Sequence, residues 1–263
     1  MKESSRDKNF YIILPMFNEE RSFGALRKMF DGKFRLPPGC NHRIIIVNDG
    51  STDRTPELAA TWEEDDNRVT VIAHKHNLGL GRAILTGFRK AVQEGAEGVI
   101  TMDADASHPA QIIPYMVQEI LSGADIVIAS RFVAGSTQKG VPWQRRLYTL
   151  GARVLLSCIF PLKGVKDYTA GFRAYRAALI QEALETCNDL LVTSRSFAAS
   201  TEILLKVSTL ARSIKEVPLT LRYDQKESLS KMKAAAAIRD YLKLCLMTKK
   251  NCPLGRGIKF PTN

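Results

Sequence analysis

The 263-residue chain is predicted to fold as an α/β protein whose mixed, mostly parallel sheet carries helices on both faces. Two observations predict it. Short apolar runs of strand length alternate with helical stretches through the first half, the rhythm of strands joined by crossover helices. Those runs are also almost continuously apolar instead of alternating with polar residues, as expected of strands buried on both faces.

Taken in order, residues 10–14 (FYIIL) form the first strand, which Pro15 is expected to end, and a helical pattern runs from about Glu19 to Met29. After the turn at Pro37–Gly39, residues 42–47 (HRIIIV) make a second buried strand that stops at Asn48-Asp49-Gly50-Ser51. Ser51, Thr52 and Asp53 are candidate N-caps for a helix over about Thr55–Trp62. Residues 68–73 (RVTVIA), 99–102 and 125–129 (DIVIA) read as further strands, with helices over Gly81–Glu94 and Pro109–Ser122 between them. Beyond Arg131 the rhythm loosens. A basic helix from about Gln144 to Ile159 precedes a polar turn, Lys163–Phe172, and helices follow near Ala177–Leu184 and Ser200–Thr209. Residues 214–221 (IKEVPLTL) form a late strand whose Pro218 predicts an edge position. A last amphipathic helix is expected over about 234–247, followed by a basic tail.

Composition narrows the function classes. With 45% apolar residues the chain can bury one large core, and its longest apolar runs fall short of the ~18–20 residues that span a bilayer. The polar start MKESSRDKNF carries no leader pattern, and five scattered cysteines without a CxxC pair suggest reduced thiols in a cytosolic protein. The net charge of +11 is uneven: residues 1–130 sum to −3 and residues 131–263 to +14. Such asymmetry points the second half toward an anionic partner, either an acidic membrane surface or a phosphorylated acceptor. Nucleic acid is not expected, because no basic–aromatic motif accompanies the charge and the first half is acidic.

Four chemically pointed stretches fall at the carboxyl ends of successive strands, where open α/β sheets bind their ligands: Pro15–Glu19, Asn48–Asp53, Asp103–Asp105 and Ser130-Arg131. Asp103 and Asp105, one residue apart where a buried strand gives way to a loop, can face one hard cation. An isolated DxD is more often a helix cap beside a solvated carboxylate, a reading that the other three pointed strand ends reverse. The run NLGLGRA (Asn77–Ala83) has Ile84 where a dinucleotide fingerprint needs its third glycine, so Gly79 and Gly81 are assigned to a tight turn into a helix beside a bound nucleotide or sugar. A Walker loop, a serine nucleophile elbow and a Cys–His pair are absent.

The chain resembles the GT-A glycosyltransferases of family 2, and within them the dolichyl- or polyprenyl-phosphate mannosyltransferases (the dolichol-phosphate mannose synthase group). The likeness rests on ILPMFNEE, IIIVNDGSTD, NLGLGRAILTGF, MDADASHP, a strand ending in ASRF, the basic WQRR segment, DYTAGFRAYR and the late RYDQKESLSKMK. It implies a GT-A, Rossmann-like catalytic domain over residues 10–230, with a polar tail at 1–9 and a basic amphipathic segment at 231–263. It also implies roles for single residues. Pro15, Phe17, Glu19, Val47 and Asp49 match positions that hold the base and ribose of a nucleotide sugar, and Asp103, Ala104 and Asp105 match the segment under the diphosphate. Asp105 with Ser107, and Asp103 close by, match the ligands of Mg²⁺ or Mn²⁺. Arg131, Arg145 or Arg146, Arg222 and Lys231 match basic residues that grip donor and acceptor phosphates. Phe17 stands where tyrosine is common, Asn48 replaces the first acid of a DDGS run, Ala106 replaces a larger apolar residue, and Ser107 replaces an amide ligand.

The activity so implied is metal-dependent, inverting transfer of a hexose, mannose from GDP-mannose being favoured, onto a polyprenyl or dolichyl phosphate. Asp105, Arg131, Arg222 and Lys231 are the residues expected to carry it, at an anionic membrane surface that the protein meets peripherally. The competing expectations are a UDP-sugar donor or a saccharide acceptor, and a non-catalytic protein that binds nucleotide or membrane without turnover.

Overall fold

The computed structural model describes residues 7–223 together with residues 239–241, Leu244 and Leu254. Lys231 and most of the expected helix over 234–247 lie outside the described residues.

Strands β1 (Lys8–Met16), β2 (Cys40–Asn48), β3 (Val69–Ala73), β4 (Gly98–Thr101), β5 (Ile126–Ser130), β7 (Arg173–Arg176) and β8 (Ile214–Pro218) form one sheet in the order β3-β2-β1-β4-β7-β5-β8. Parallel pairing joins β1 to β2 and β4, β2 to β3, and β5 to β8, whereas β7 runs antiparallel to both its neighbours. Two short strands, β6 (Thr137–Lys139) and β9 (Thr220–Arg222), make a separate parallel pair. The mixed, mostly parallel sheet expected from the apolar runs is therefore present, and Pro218 sits on edge strand β8.

Side-chain alternation along β1 divides the core. Tyr11 and Ile13 enter the cluster under α3 (Leu80–Gln93), α6 (Ala177–Cys187) and α7 (Ala198–Val207). Phe10, Ile12 and Leu14 enter the other, under α1 (Glu20–Lys28), α2 (Thr55–Asp65) and α4 (Ile113–Leu121). Both faces are buried, which is why these strands lack a polar alternate.

Two expectations need correction, and one strand carries no signal in the sequence. Pro15 does not end the first strand; it pairs with Val47 inside β1. Its missing N–H is harmless because β4 pairs only with Phe10–Ile13, so the ladder on that side has already stopped. The residues between the polar turn and the helix near Ala177, to which the sequence reading assigns no element, form a strand. It is β7, in the middle of the sheet, and its Arg173 is fully buried with the guanidinium donating to the Ser200 and Tyr168 carbonyls. A charged residue at a central strand position carries no strand signal, so the pattern of residues 173–176 marks no element. The expectation of free thiols holds at Cys40 and Cys158 and fails at Cys187, which is disulfide-bonded.

Among the described residues no helix is long and apolar enough to cross a membrane. Helix α5 (Trp143–Ile159) is unusual, since Leu156 is its one buried residue. Its large apolar residues are exposed instead, with Trp143 at 69%, Leu147 at 59% and Val154 at 55%.

Candidate functional site

Strand order fixes where the site lies. The chain moves outward from β1 through β2 to β3, then returns to place β4 on the other side of β1. This leaves a crevice between the carboxyl ends of β1 and β4, the switch point where open α/β sheets take ligands. Pro15–Glu19 and Asp103–Asp105 face each other across it.

The loops after β1 and β2 are bound together by Thr55 and by two of the side chains that the sequence offers as helix caps, Ser51 and Asp53. Ser51 Oγ accepts the Asn18 N–H at 3.0 Å, Thr55 Oγ1 accepts that of Glu19 at 2.9 Å, and Asp53 accepts that of Glu20 at 3.1 Å. Asn48, in place of an acid, accepts the Ser51 N–H through its side-chain oxygen at 3.1 Å, a bond a carboxylate would make in the same way. Asp49 is buried and closes the next turn. One of its oxygens accepts from Leu78 N (2.9 Å) and His74 Nδ1 (2.7 Å), the other from Gly79 N (2.8 Å).

At the end of β4 the backbone reverses. Ala106 takes a left-handed conformation (φ 61°), which brings the Ser107 N–H and hydroxyl onto one Asp105 oxygen at 3.1 and 2.5 Å. A larger side chain at position 106 would be no easier to place there, and a small one suits the turn. Asp103 lies against Gly171, where an added Cβ would come within 3.3 Å of its carboxylate. His108 stacks on Phe172, with ring centroids 5.1 Å apart, beneath this turn.

Two cavities meet at this carboxylate pair. The smaller, about 190 Å³, runs from Asp103, Ala104 and Asp105 toward Pro15, Phe17, Glu19 and Asp49. The larger, about 410 Å³, begins at Asp103, Asp105 and Ser107 and opens under α5. Its polar end holds Arg131 and Arg145, and its walls include Leu147, Leu155 and Leu221. Phe197 lines both.

Arg131 is held by a buried partner. Its Nε and Nη2 donate to the two oxygens of Asp167 at 2.8 and 2.6 Å, and Nη2 also reaches Thr169 Oγ1. Burial works against both charges, but their mutual attraction and bidentate bonding outweigh it. The Arg131 guanidinium is held above its ordinary range and the Asp167 carboxyl below its own. Arg131 is thus a fixed cation at the cavity floor.

The remaining expected residues are placed unequally. Val47 is fully buried in the core and serves as the rigid base from which Asp49 projects. Of the arginine pair on α5, Arg145 lines the large cavity and packs over the Tyr223 ring at 5.1 Å, whereas Arg146 is exposed and donates to the Gln138 carbonyl. Arg222 sits on β9, where its backbone N–H donates to the Ser107 carbonyl at 3.0 Å, so this strand braces the Asp105–Ser107 turn. Three residues at the site escaped the sequence reading: Asp167, Phe197 and Arg195. Asp167 had a signal, as the one carboxylate in DYTAGFRAYR.

Asp103 and Asp105 are hard oxygen donors on a rigid strand end, a set that suits Mg²⁺ or Mn²⁺ with waters or ligand oxygens completing the shell. The Ser107 hydroxyl donates to Asp105 while its oxygen retains acceptor capacity. Among the described residues no group of three or more His, Cys, Asp or Glu side chains could hold a metal, so a cation here would depend on oxygens from its ligand.

Comparison with known proteins places the chain in a family. The model of Glycosyl transferase family 2 matches residues 11–184. The chain is 30% identical over 223 residues to the polyprenol monophosphomannose synthase of Mycolicibacterium smegmatis, covering 84% of this chain and 80% of that one. It is 30% identical over 209 residues to the undecaprenyl-phosphate mannosyltransferase of Micrococcus luteus, covering 79% and 81%. Against the dolichol-phosphate mannosyltransferase of Pyrococcus furiosus identity is 32%, over 65% of this chain and 47% of that one. The structure of glucosyl-3-phosphoglycerate synthase from Mycobacterium tuberculosis with Mn²⁺ and UDP-glucose superposes with a TM-score of 0.63 at 19% identity, covering 95% of this chain and 82% of that one. That likeness supports the GT-A-type fold alone. With a family model spanning most of the sheet and relatives at 30% identity along most of the chain, this protein belongs to glycosyl transferase family 2 and is a glycosyltransferase.

Proposed function

We propose that the protein transfers a hexose, mannose from GDP-mannose, to a polyprenyl or dolichyl phosphate, with Mg²⁺ or Mn²⁺ and with inversion at the sugar carbon. The observation that carries this reading is the meeting of two unlike cavities at one carboxylate pair. The smaller has the acidic lining and tight turns suited to a nucleotide sugar. The larger is lined by two arginines together with apolar side chains, Leu147 and Leu155 of α5 among them, a combination matching a phosphate on a long isoprenoid chain.

In this reading Asp103 and Asp105, with Ser107, would hold the divalent cation, which neutralises charge developing on the departing nucleoside diphosphate. Pro15, Phe17, Glu19 and Asp49 hold the base and ribose, and Ala104 passes under the diphosphate. An acceptor phosphate is already ionised at neutral pH, so its oxygen needs no base, and cations must aim it instead. Arg131 is suited to that task because Asp167 fixes its plane, and Arg145 approaches from α5. Arg222 and Lys231 complete the basic set in the carry-over from the family. The acceptor oxygen attacks the anomeric carbon from the face opposite the leaving diphosphate, and one displacement turns an α-linked donor into a β-linked product.

The exposed apolar side of α5, beside Arg145, Arg146 and Arg153, supports peripheral docking on an anionic cytoplasmic membrane face, where each nearby basic residue adds about 1 kcal/mol. Incubation with GDP-[¹⁴C]mannose, Mn²⁺ and a short polyprenyl phosphate should give a solvent-extractable mannosyl lipid whose anomeric proton reports a β linkage. A lipid product from UDP-glucose but not from GDP-mannose would reassign the donor. No lipid-linked sugar with any common nucleotide sugar would refute the proposal.

A further inference from the structure

His108 closes the turn that carries Asp103 and Asp105, and the two nitrogens of its ring are used differently. Nδ1 accepts the Asp103 N–H at 3.4 Å, which folds the ring back over the turn. The fully buried Phe172 stacks on one face of the ring, with centroids 5.1 Å apart and 27° between the planes. Held at one nitrogen and along one face, the ring cannot turn without losing both contacts. His108 is only 7% exposed, and it lines the larger cavity together with Asp105, Ser107 and Arg131.

Nε2 is the nitrogen left over. Among the described residues no protein group bonds to it, although the side chain is more than nine-tenths buried. His74 shows the contrast: its Nδ1 meets Asp49 and its Nε2 meets Thr86 Oγ1, so both nitrogens are used within the fold. Because Nδ1 of His108 accepts a backbone N–H, the ring proton sits on Nε2, and the ring presents a donor to the cavity. A shielded donor of this kind calls for an acceptor from water or a ligand.

We propose that the His108 Nε2–H binds the lipid acceptor, donating to an oxygen of its phosphate while Nδ1 keeps the ring registered on the Asp103 backbone. The assignment rests on the acceptor-side reading of the larger cavity. Arg131 and Arg145 bring charge to that phosphate, and a further donor fixed in direction by the stacked ring limits how the phosphate can rotate between them. Limiting that rotation aims the attacking oxygen. The ring also refers both substrates to one turn, since the carboxylates facing the donor diphosphate stand on the same few residues.

Two substitutions separate the ends of the ring. An asparagine amide falls where Nδ1 lies and a glutamine amide where Nε2 lies, so His108→Asn keeps the brace on Asp103 and His108→Gln keeps the donor. Initial rates with GDP-mannose, Mn²⁺ and a varied concentration of a short polyprenyl phosphate give the acceptor KM of each full-length chain. His108→Asn should raise it at least about tenfold, the loss of one hydrogen bond to a charged group, and His108→Gln should recover most of that loss. Calorimetric titration with GDP and Mn²⁺ should give His108→Asn the affinity of the native chain, which shows that the turn is intact. If His108→Asn keeps an acceptor KM within about threefold of native, the ring is a brace alone and the proposal falls, whatever His108→Gln does. If His108→Asn weakens GDP by the same factor as the acceptor, the residue serves the turn and the proposal falls as well. A native chain that forms no lipid-linked sugar from any common nucleotide sugar loses the acceptor-side reading together with this assignment; transfer by the native chain with an unaltered His108→Asn removes this assignment alone.

Discussion

Replacing Glu202 by glutamine keeps the shape of a fully enclosed side chain and removes its charge. Glu202 is 2% exposed and Lys206 0%. One carboxylate oxygen accepts from Lys206 Nζ (2.6 Å) and Thr193 Oγ1 (2.8 Å), the other from the N–H groups of Thr193 (3.0 Å) and Ser194 (2.8 Å). An amide must set its NH₂ at one of these two positions. At the first it confronts an ammonium that keeps only the Leu190 carbonyl; at the second it orphans two backbone donors. In either orientation the neutral amide breaks one side of a buried ion pair, which costs about 3–5 kcal/mol. Against a native stability of about 5–15 kcal/mol this is a large loss, and at about 2 °C per kcal/mol for a chain of this size the melting temperature should fall by about 6–10 °C. Scanning calorimetry and urea titration of Glu202→Gln, Lys206→Met and the double variant measure it. The double variant should cost less than the sum of the singles by about 2 kcal/mol or more, because it no longer contains a stranded charge. A loss below about 1 kcal/mol for Glu202→Gln, or strict additivity, would refute the assignment of this pair as the anchor of the 192–197 loop.

Three further outcomes follow from the site and its surroundings. Asp167→Asn should lower transfer at least about tenfold and destabilise the protein by about 3 kcal/mol, since it strands the Arg131 charge; Arg131→Lys should not restore activity, because an ammonium cannot reproduce the two-point grip. His42 is buried with Arg68 beside it, and burial followed by that charge holds its pKa down to about 4. Its neutral form is favoured by folding, so the associated stability, about 3 kcal/mol at most, is present above pH 6.5 and lost as pH falls from 6.5 toward 4. Urea titrations over that range should show the loss, and His42→Gln should flatten it. On α5, Leu147→Glu with Val154→Glu should leave the melting temperature within about 1 °C, since both side chains are exposed, while reducing flotation with anionic vesicles several-fold; unchanged flotation would exclude this face from membrane contact.

Much of the fold was legible because its signals are local. FYIIL and IIIV are apolar on every residue and too short for a core helix, so strands buried on both faces, and with them the parallel half of the sheet, follow from the sequence. Asp103 and Asp105 were legible for the same reason: a buried run ending in DAD places two carboxylates on a rigid stop. β7 was not legible. Arg173 occupies a core position whose compensation, the Ser200 and Tyr168 carbonyls, comes partly from a helix 27 residues away. Glu202 and Lys206 stand at the i,i+4 spacing of an ordinary solvated pair, and nothing in the chain marks them as buried.

The sequence by itself determined the α/β class, the family, the acidic strand ends and the uneven charge, all of which depend on residue type and short spacing. Only the tertiary structure decided how these were used. It chose Arg145 over Arg146 for the cavity, set Arg131 on Asp167, and placed Val47 in the core beneath Asp49. It also brought Arg195 beside Asn77 across 118 residues of chain. The physical reason is that a carboxylate or guanidinium acquires its role from what surrounds it in space, and those surroundings are assembled by strand order and loop packing.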